Sequence, residues 1–202
     1  MIHLACQIPT TIVVACSGGP DSMALLDFCI KGRRNVQALY IKHGDSEFAQ
    51  DSQRVVTDWC AAKGVPLLVE SVSRTDTTKS QEQDWSDQRR EIYMRMPHPV
   101  LTGHHLDDAV EWWLLTCMRG KPTLMKSHSG NVLRPFLWTT KSKLLDWCAQ
   151  KQVGYVVDPT NKGERNDRSK IRVMMNGIES INPGIRNTVL RLLKKESKAS
   201  GL

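Results

Sequence analysis

Two common nucleotide-binding signatures are missing from this sequence of 202 residues. Neither Gly-x-x-x-x-Gly-Lys-Ser/Thr nor Gly-x-Gly-x-x-Gly occurs, which excludes the usual P-loop and the dinucleotide fingerprint. No apolar run approaches the roughly 20 residues that a membrane-crossing helix needs, so no membrane partner is expected. The start, Met1-Ile2-His3-Leu4-Ala5-Cys6-Gln7, lacks the basic residues and long apolar stretch of a signal peptide, and the expected location is the cytoplasm. Six cysteines (Cys6, Cys16, Cys29, Cys60, Cys117, Cys148) are scattered without a Cys-x-x-Cys pair. Buried free thiols are the simplest reading, and zinc, iron–sulfur or thiol-relay chemistry is not expected. There are no internal repeats and no low-complexity segments.

What is present suits one α/β domain with a small appendage. A hydrophobic content of 40% is ordinary for a chain with a real core, and the net charge is +7. The surplus is concentrated late: from Lys162 onward ten basic residues face four acidic ones. Such a region suits a polyanion, most simply nucleic acid, although a solvated lysine-rich helix has the same composition.

Strands and helices alternate. Strands are predicted over 11–16, 36–41, 65–72, 98–103 and 153–157. Helices are predicted over 23–30, 46–63, 81–96, 106–119 and 141–151, with two small ones near 170–178 and 183–195. Residues 73–80 read as a mobile polar loop, and 120–131 as irregular. The pattern predicts a doubly wound parallel sheet of about five strands with small C-terminal helices. Residues 1–160 form the main domain in this reading, and 161–202 a basic helical extension packed on it. Ligands of such sheets bind outside the carboxyl ends of the strands. Three motifs fall there: residues 17–22 after the first strand, His43 after the second, and His104-His105 after the fourth.

The first motif, Ser17-Gly18-Gly19-Pro20-Asp21-Ser22, joins an apolar strand to a helix that Asp21 and Ser22 are placed to cap. Converging backbone N–H groups and the helix dipole make such a turn an anion site. The second is Thr102-Gly103-His104-His105-Leu106-Asp107-Asp108-Ala109-Val110-Glu111. Asp107 and Asp108 lie four and three residues before Glu111, so the carboxylates share a helix face. They can hold Mg²⁺ against phosphate oxygens or bind an ammonium group. Acidic residues also favour a helix's first turn through the dipole, but that does not account for the paired histidines.

The hexapeptide resembles the SGGxDS signature of the PP-loop ATP pyrophosphatases. The second motif resembles the HHxDDxxE of the tRNA(Ile)-lysidine synthetases within that superfamily. Further matches are Gln88-Arg89 with Tyr93, Leu133-Arg134-Pro135, Asp158-Pro159-Thr160-Asn161, Arg168-Ser169-Lys170-Ile171-Arg172 and Asn182-Pro183-Gly184. Together they run from about residue 11 to 193. The chain departs from the pattern after His43, where it reads Gly44-Asp45-Ser46. The resemblance implies ATP and Mg²⁺ as cofactors, with the anticodon loop of a tRNA and free L-lysine as partners. The implied reaction adenylates the wobble cytidine of an isoleucine tRNA and replaces AMP with lysine. By the same resemblance, Asp21, Arg89, His105, Asp108 and Glu111 are the catalytic candidates. Ser17, Gly18, Gly19, Asp21, Ser22, His43, Gly103 and His104 would bind ATP, and Asp21 and Asp107 the metal. Arg168, Lys170 and Arg172 would meet RNA. Larger relatives carry C-terminal domains that grip the tRNA body, so a minimal synthetase reading chiefly the anticodon loop is expected. A homodimer is a further expectation. The alternatives are a 2-thiocytidine-type enzyme, a small-molecule amidating relative, and a non-catalytic RNA-binding relative.

Overall fold

A computed structural model describes residues 1–157 and 167–199, apart from the side chains of Arg168 and Ser169. Its centre is β1 (Thr11–Ala15), flanked in parallel by β2 (Asn35–His43) and β4 (Val100–Leu101). β3 (Leu67–Val72) extends the sheet beyond β2, and β6 (Val132–Leu133) extends it beyond β4, both in parallel. An antiparallel edge strand, β5 (His128–Ser129), completes the order β3-β2-β1-β4-β6-β5.

Alternation along β1 shows why its apolar run has no polar face. Ile12 and Val14 point into one core cluster, and Val13 points into another. All three are fully buried, each contributing about 1.5–3 kcal/mol by transfer from water. The first face is covered by α1 (Pro20–Lys31), α2 (Glu47–Lys63) and α5 (Lys141–Lys151), through Met23, Val56 and Leu144. The second is covered by α3 (Gln81–Arg95), through Ile92. A third cluster joins α4 (Leu106–Met118) to α6 (Asp167–Ile181) and α7 (Ile185–Ala199), with Val110, Ile171, Met175 and Val189 at its centre.

Four differences from the sequence reading have local causes. Residues 153–157 form no strand: Val156 N–H donates to Gly18 O at 2.9 Å, so the segment runs over the turn after β1. Val132–Leu133 takes the fifth parallel place. Residues 73–80 are tied to α3 through the buried Asp84, whose carboxylate accepts from Thr75 N–H at 2.8 Å and Asp76 N–H at 3.2 Å. These bonds, Thr75's first, hold Asp84 down at about 2. The C-terminal helices are longer than expected because each lays an apolar stripe on α4. Asp158-Pro159-Thr160-Asn161 and the 160/161 boundary lie outside the described residues.

Cys16, Cys29, Cys60 and Cys148 are buried free thiols. Burial raises all four, Cys29 to about 12 and Cys60 and Cys148 to about 11, which keeps them protonated and inert.

Candidate active site

β1 delivers the 17–22 turn to the carboxyl edge of the sheet, where strand order reverses between β2 and β4. Gly18 adopts φ +79°, and a Cβ there would stand 2.9 Å from Ser52 O, so only glycine fits. The Ser22 hydroxyl holds the turn: it accepts from Ser17 N–H at 3.1 Å and donates to Gly19 O at 3.0 Å. Gly19, not Asp21 or Ser22, is the N-cap of α1, Pro20 sits in the first turn, and no side chain among the described residues caps the helix. The first free N–H groups of α1 therefore face the turn, as an anion site requires.

β4 brings the second motif beside the first. A Cβ on Gly103 would meet the backbone of Asp21 at 2.9 Å and Ser22 N at 3.0 Å. Glycine here permits close approach of the two loops. His104 Nδ1 is 2.8 Å from the Thr102 hydroxyl. His105, 3% exposed, is the N-cap of α4, and Asp108 Oδ2 accepts its backbone N–H at 2.9 Å.

The His105 ring is encircled by carboxylates. Nε2 lies 3.6 Å from Asp21 Oδ1 and 3.5 Å from Asp108 Oδ2, and Nδ1 lies 3.5 Å from Asp107 Oδ2. Burial disfavours the charged ring, but Asp107, Asp21 and Asp108 outweigh it and raise His105 to about 9. An imidazolium carries protons on both nitrogens, so the long 3.4 Å approach of Asp108 N–H to Nδ1 is a contact and not a bond in that state.

The acidic face is matched by cations from distant segments. Arg172 of α6 grips Glu111 in a fork, Nε to Oε1 at 2.7 Å and Nη2 to Oε2 at 2.9 Å. Arg186 of α7 donates to Asp107 Oδ1 at 2.7 Å and also pairs with Glu179. Lys141 donates its backbone N–H to Asp107 Oδ2 at 2.7 Å and places Nζ 3.3 Å from Asp21 Oδ2. Burial works against the Asp107 charge, yet His105, Lys141 N–H and Arg186 hold it well below the usual carboxylate range. Asp107 has both oxygens engaged by protein donors, and Arg172 directs its fork to Glu111. Lys170 is exposed, with Nζ 4.0 Å from Asp167. The Arg168 side chain lies outside the described residues. Sequence reasoning assigned no role to Lys141 or Arg186; the only hint was the Asn182-Pro183-Gly184 turn that starts α7.

Across the edge the site is less saturated. His43, at the end of β2, packs against Trp85 with ring centroids 5.2 Å apart. Burial and then the Arg89 charge lower His43 to about 4, so it is neutral. His43 Nδ1, Trp85 Nε1 and Arg134 Nε are buried without hydrogen-bond partners among the described residues. Such atoms call for an occupant.

The sequence matches the PP-loop domain family over residues 4–177. This chain belongs to that family. The PP-loop domain is 30% identical over 209 residues to a tRNA(Ile)-lysidine synthase of Francisella philomiragia, covering 96% of this chain and 52% of that protein. It is 34% identical over 177 residues to the tRNA(Ile)-lysidine synthase of Polaromonas naphthalenivorans, covering 80% of this chain and 54% of the other. The chain thus spans about half the length of these relatives. A solved U34-tRNA thiolase from Methanococcus maripaludis, containing a 4Fe–4S cluster, shares the fold with a TM-score of 0.76 at 18% identity, over 95% of this chain and 74% of that one. No helix among the described residues is long and apolar enough to cross a membrane.

Two predictions follow from the ion pairs. Because His105 is raised above its ordinary 6.5, its stabilising contribution is complete below about pH 6.5 and is lost as pH rises through about 9. The thermal midpoint should fall across that window, and His105→Gln should flatten the slope; an unchanged slope contradicts the imidazolium. Arg172→Ala strands the buried Glu111 carboxylate and should lower unfolding free energy by about 1–3 kcal/mol, measured by urea denaturation.

Proposed function

We propose that this chain is an ATP-dependent ligase that modifies tRNA, joining free L-lysine to the wobble cytidine of an isoleucine tRNA. The observation that carries the reading is the abutment of an anion-binding turn and an acidic helix start, through Gly103 against Asp21 and Ser22. The names of relatives that match most of its length support the substrate. The work belongs in the cytoplasm.

ATP enters with its pyrophosphate end on the 17–22 turn, where the α1 N-terminus and Lys141 meet negative charge. The adenine ring lies at the end of β2, beside the aromatic rings of neutral His43 and Trp85, which are tilted 36° to each other. Asp21 Oδ1, a buried oxygen that His105 meets only at a long 3.6 Å, would serve as a Mg²⁺ ligand. Such an ion neutralises phosphate charge during transfer. The cytidine carbonyl oxygen attacks the α-phosphorus, and the bond to pyrophosphate breaks. Arg89 offers a guanidinium to the phosphates. His105 is out of reach of solvent and acts by positioning Asp21, which it holds with positive charge. Asp108 receives the lysine ammonium, and Glu111, with both oxygens held by the Arg172 fork, fixes the helix face beside it. The ammonium gives a proton to water, its nitrogen lone pair attacks the activated ring carbon, and AMP leaves. Lys170 meets the RNA backbone at the rim.

Labelled lysine should enter acid-precipitable RNA only with tRNA, ATP and Mg²⁺ present, and Asp21→Ala should reduce incorporation about 100-fold or more. Pyrophosphate release without lysine incorporation would keep adenylation and reassign the amine. With neither, the chain is a binding protein and the reading is wrong.

A further inference from the structure

A cavity of about 240 Å³ lies outside the carboxylate cluster, between the segment before β5, the 3-10 turn Pro135–Trp138 and α7. Its floor is apolar: Leu137 and Leu193 are buried, and Met125 packs on the same cluster. The half-buried Trp138 forms an aromatic wall. Around its mouth Lys126 is exposed, Lys194 Nζ stands 5.4 Å from the Trp138 ring centroid, and the half-buried Glu196 adds one carboxylate, so two cations outnumber a single negative charge.

An apolar floor, a flat aromatic wall and cations at the mouth match a nucleotide, which brings a ring to stack and a phosphate to neutralise. An acidic peptide would use the cations but leave the ring and floor unfilled. The volume is below the roughly 300–1,000 Å³ of sites for drug-sized ligands, which suits a single base.

The position of the cavity adds a second argument. Arg134 N–H donates to Ser127 O at 2.8 Å, and its Nη1 donates to Lys126 O at 3.0 Å. Arg134 follows β6, next to the strand that delivers Gly103, His104 and His105. Its Nε is a buried donor without a hydrogen-bond partner among the described residues. Arg134 therefore ties the Lys126–Ser127 segment, which lines the cavity, to the carboxyl edge that carries the PP loop. β6 is two strand spacings from β1, roughly 10 Å, a gap that a short unpaired stretch of RNA spans.

We propose that this cavity is a second nucleotide site. It takes one unpaired base of the RNA substrate against Trp138, with the adjoining phosphate at Lys126 and Lys194, and so sets how the loop is presented to the PP loop. The inference rests on the RNA-modifying reading above.

The test is fluorescence anisotropy of a labelled anticodon stem–loop RNA with the full chain, at fixed salt and then across a salt series. Trp138→Ala should weaken binding about 10-fold, and Trp138→Phe should restore most of it. Lys126→Glu, on an exposed position, should weaken binding and reduce the salt dependence. ATP affinity, measured by calorimetry, should stay at the wild-type value in all three. Wild-type RNA affinity in both Trp138→Ala and Lys126→Glu overturns the site. If the unmodified protein does not bind the RNA at all, the RNA reading fails and the site falls with it. If Trp138→Ala does not fold, Lys126→Glu decides alone.

Discussion

A protonated histidine, buried among three carboxylates, is the constraint around which this molecule is arranged. His105 is held by Asp21 from the PP loop and by Asp107 and Asp108 from its own helix. Charges this deep are tolerated only when paired and hydrogen-bonded. The fold meets that condition with Lys141, Arg172 and Arg186, each from a different helix. Four carboxylates, counting Glu111, thus face four cations. Buried ion pairs contribute orientation more surely than stability, and orientation is what the proposed adenylation needs. The helices α6 and α7 are therefore part of the site's construction, because their arginines fix the acidic face from behind.

The opposite wall follows a different logic. Around His43, Trp85 and Arg134, buried polar atoms lack partners among the described residues, whereas the acidic side is largely saturated from within. A site built this way holds its own charges rigidly on one side and leaves donors for a ligand on the other. Neutral His43 fits that division, since a second buried cation beside Arg89 would be opposed by both burial and charge.

The parts that could be read from sequence were those fixed by local rules. The 17–22 turn was legible because strand, glycines and helix start are contiguous, and β1 because both of its faces are buried. Gly103 was visible as a motif residue, but its reason, contact with Asp21 across the loop junction, is tertiary. The ion pairs were hidden for the same cause: Arg172 reaches Glu111 across 61 positions, and Arg186 reaches Asp107 across 79. Helical periodicity marks which face of α6 or α7 is apolar, but not which carboxylate an adjoining arginine meets. Residues 153–157 misled because an extended apolar stretch looks the same whether it pairs with a strand or, as here, with Gly18.

The most direct test of this account is the titration of the His105 ring nitrogens by ¹⁵N nuclear magnetic resonance, assigned with His105→Gln. A His105 pKa near 9 and protons on both nitrogens at neutral pH would confirm the buried imidazolium that holds Asp21. A pKa at or below the ordinary 6.5, with one nitrogen unprotonated at pH 7, would contradict it.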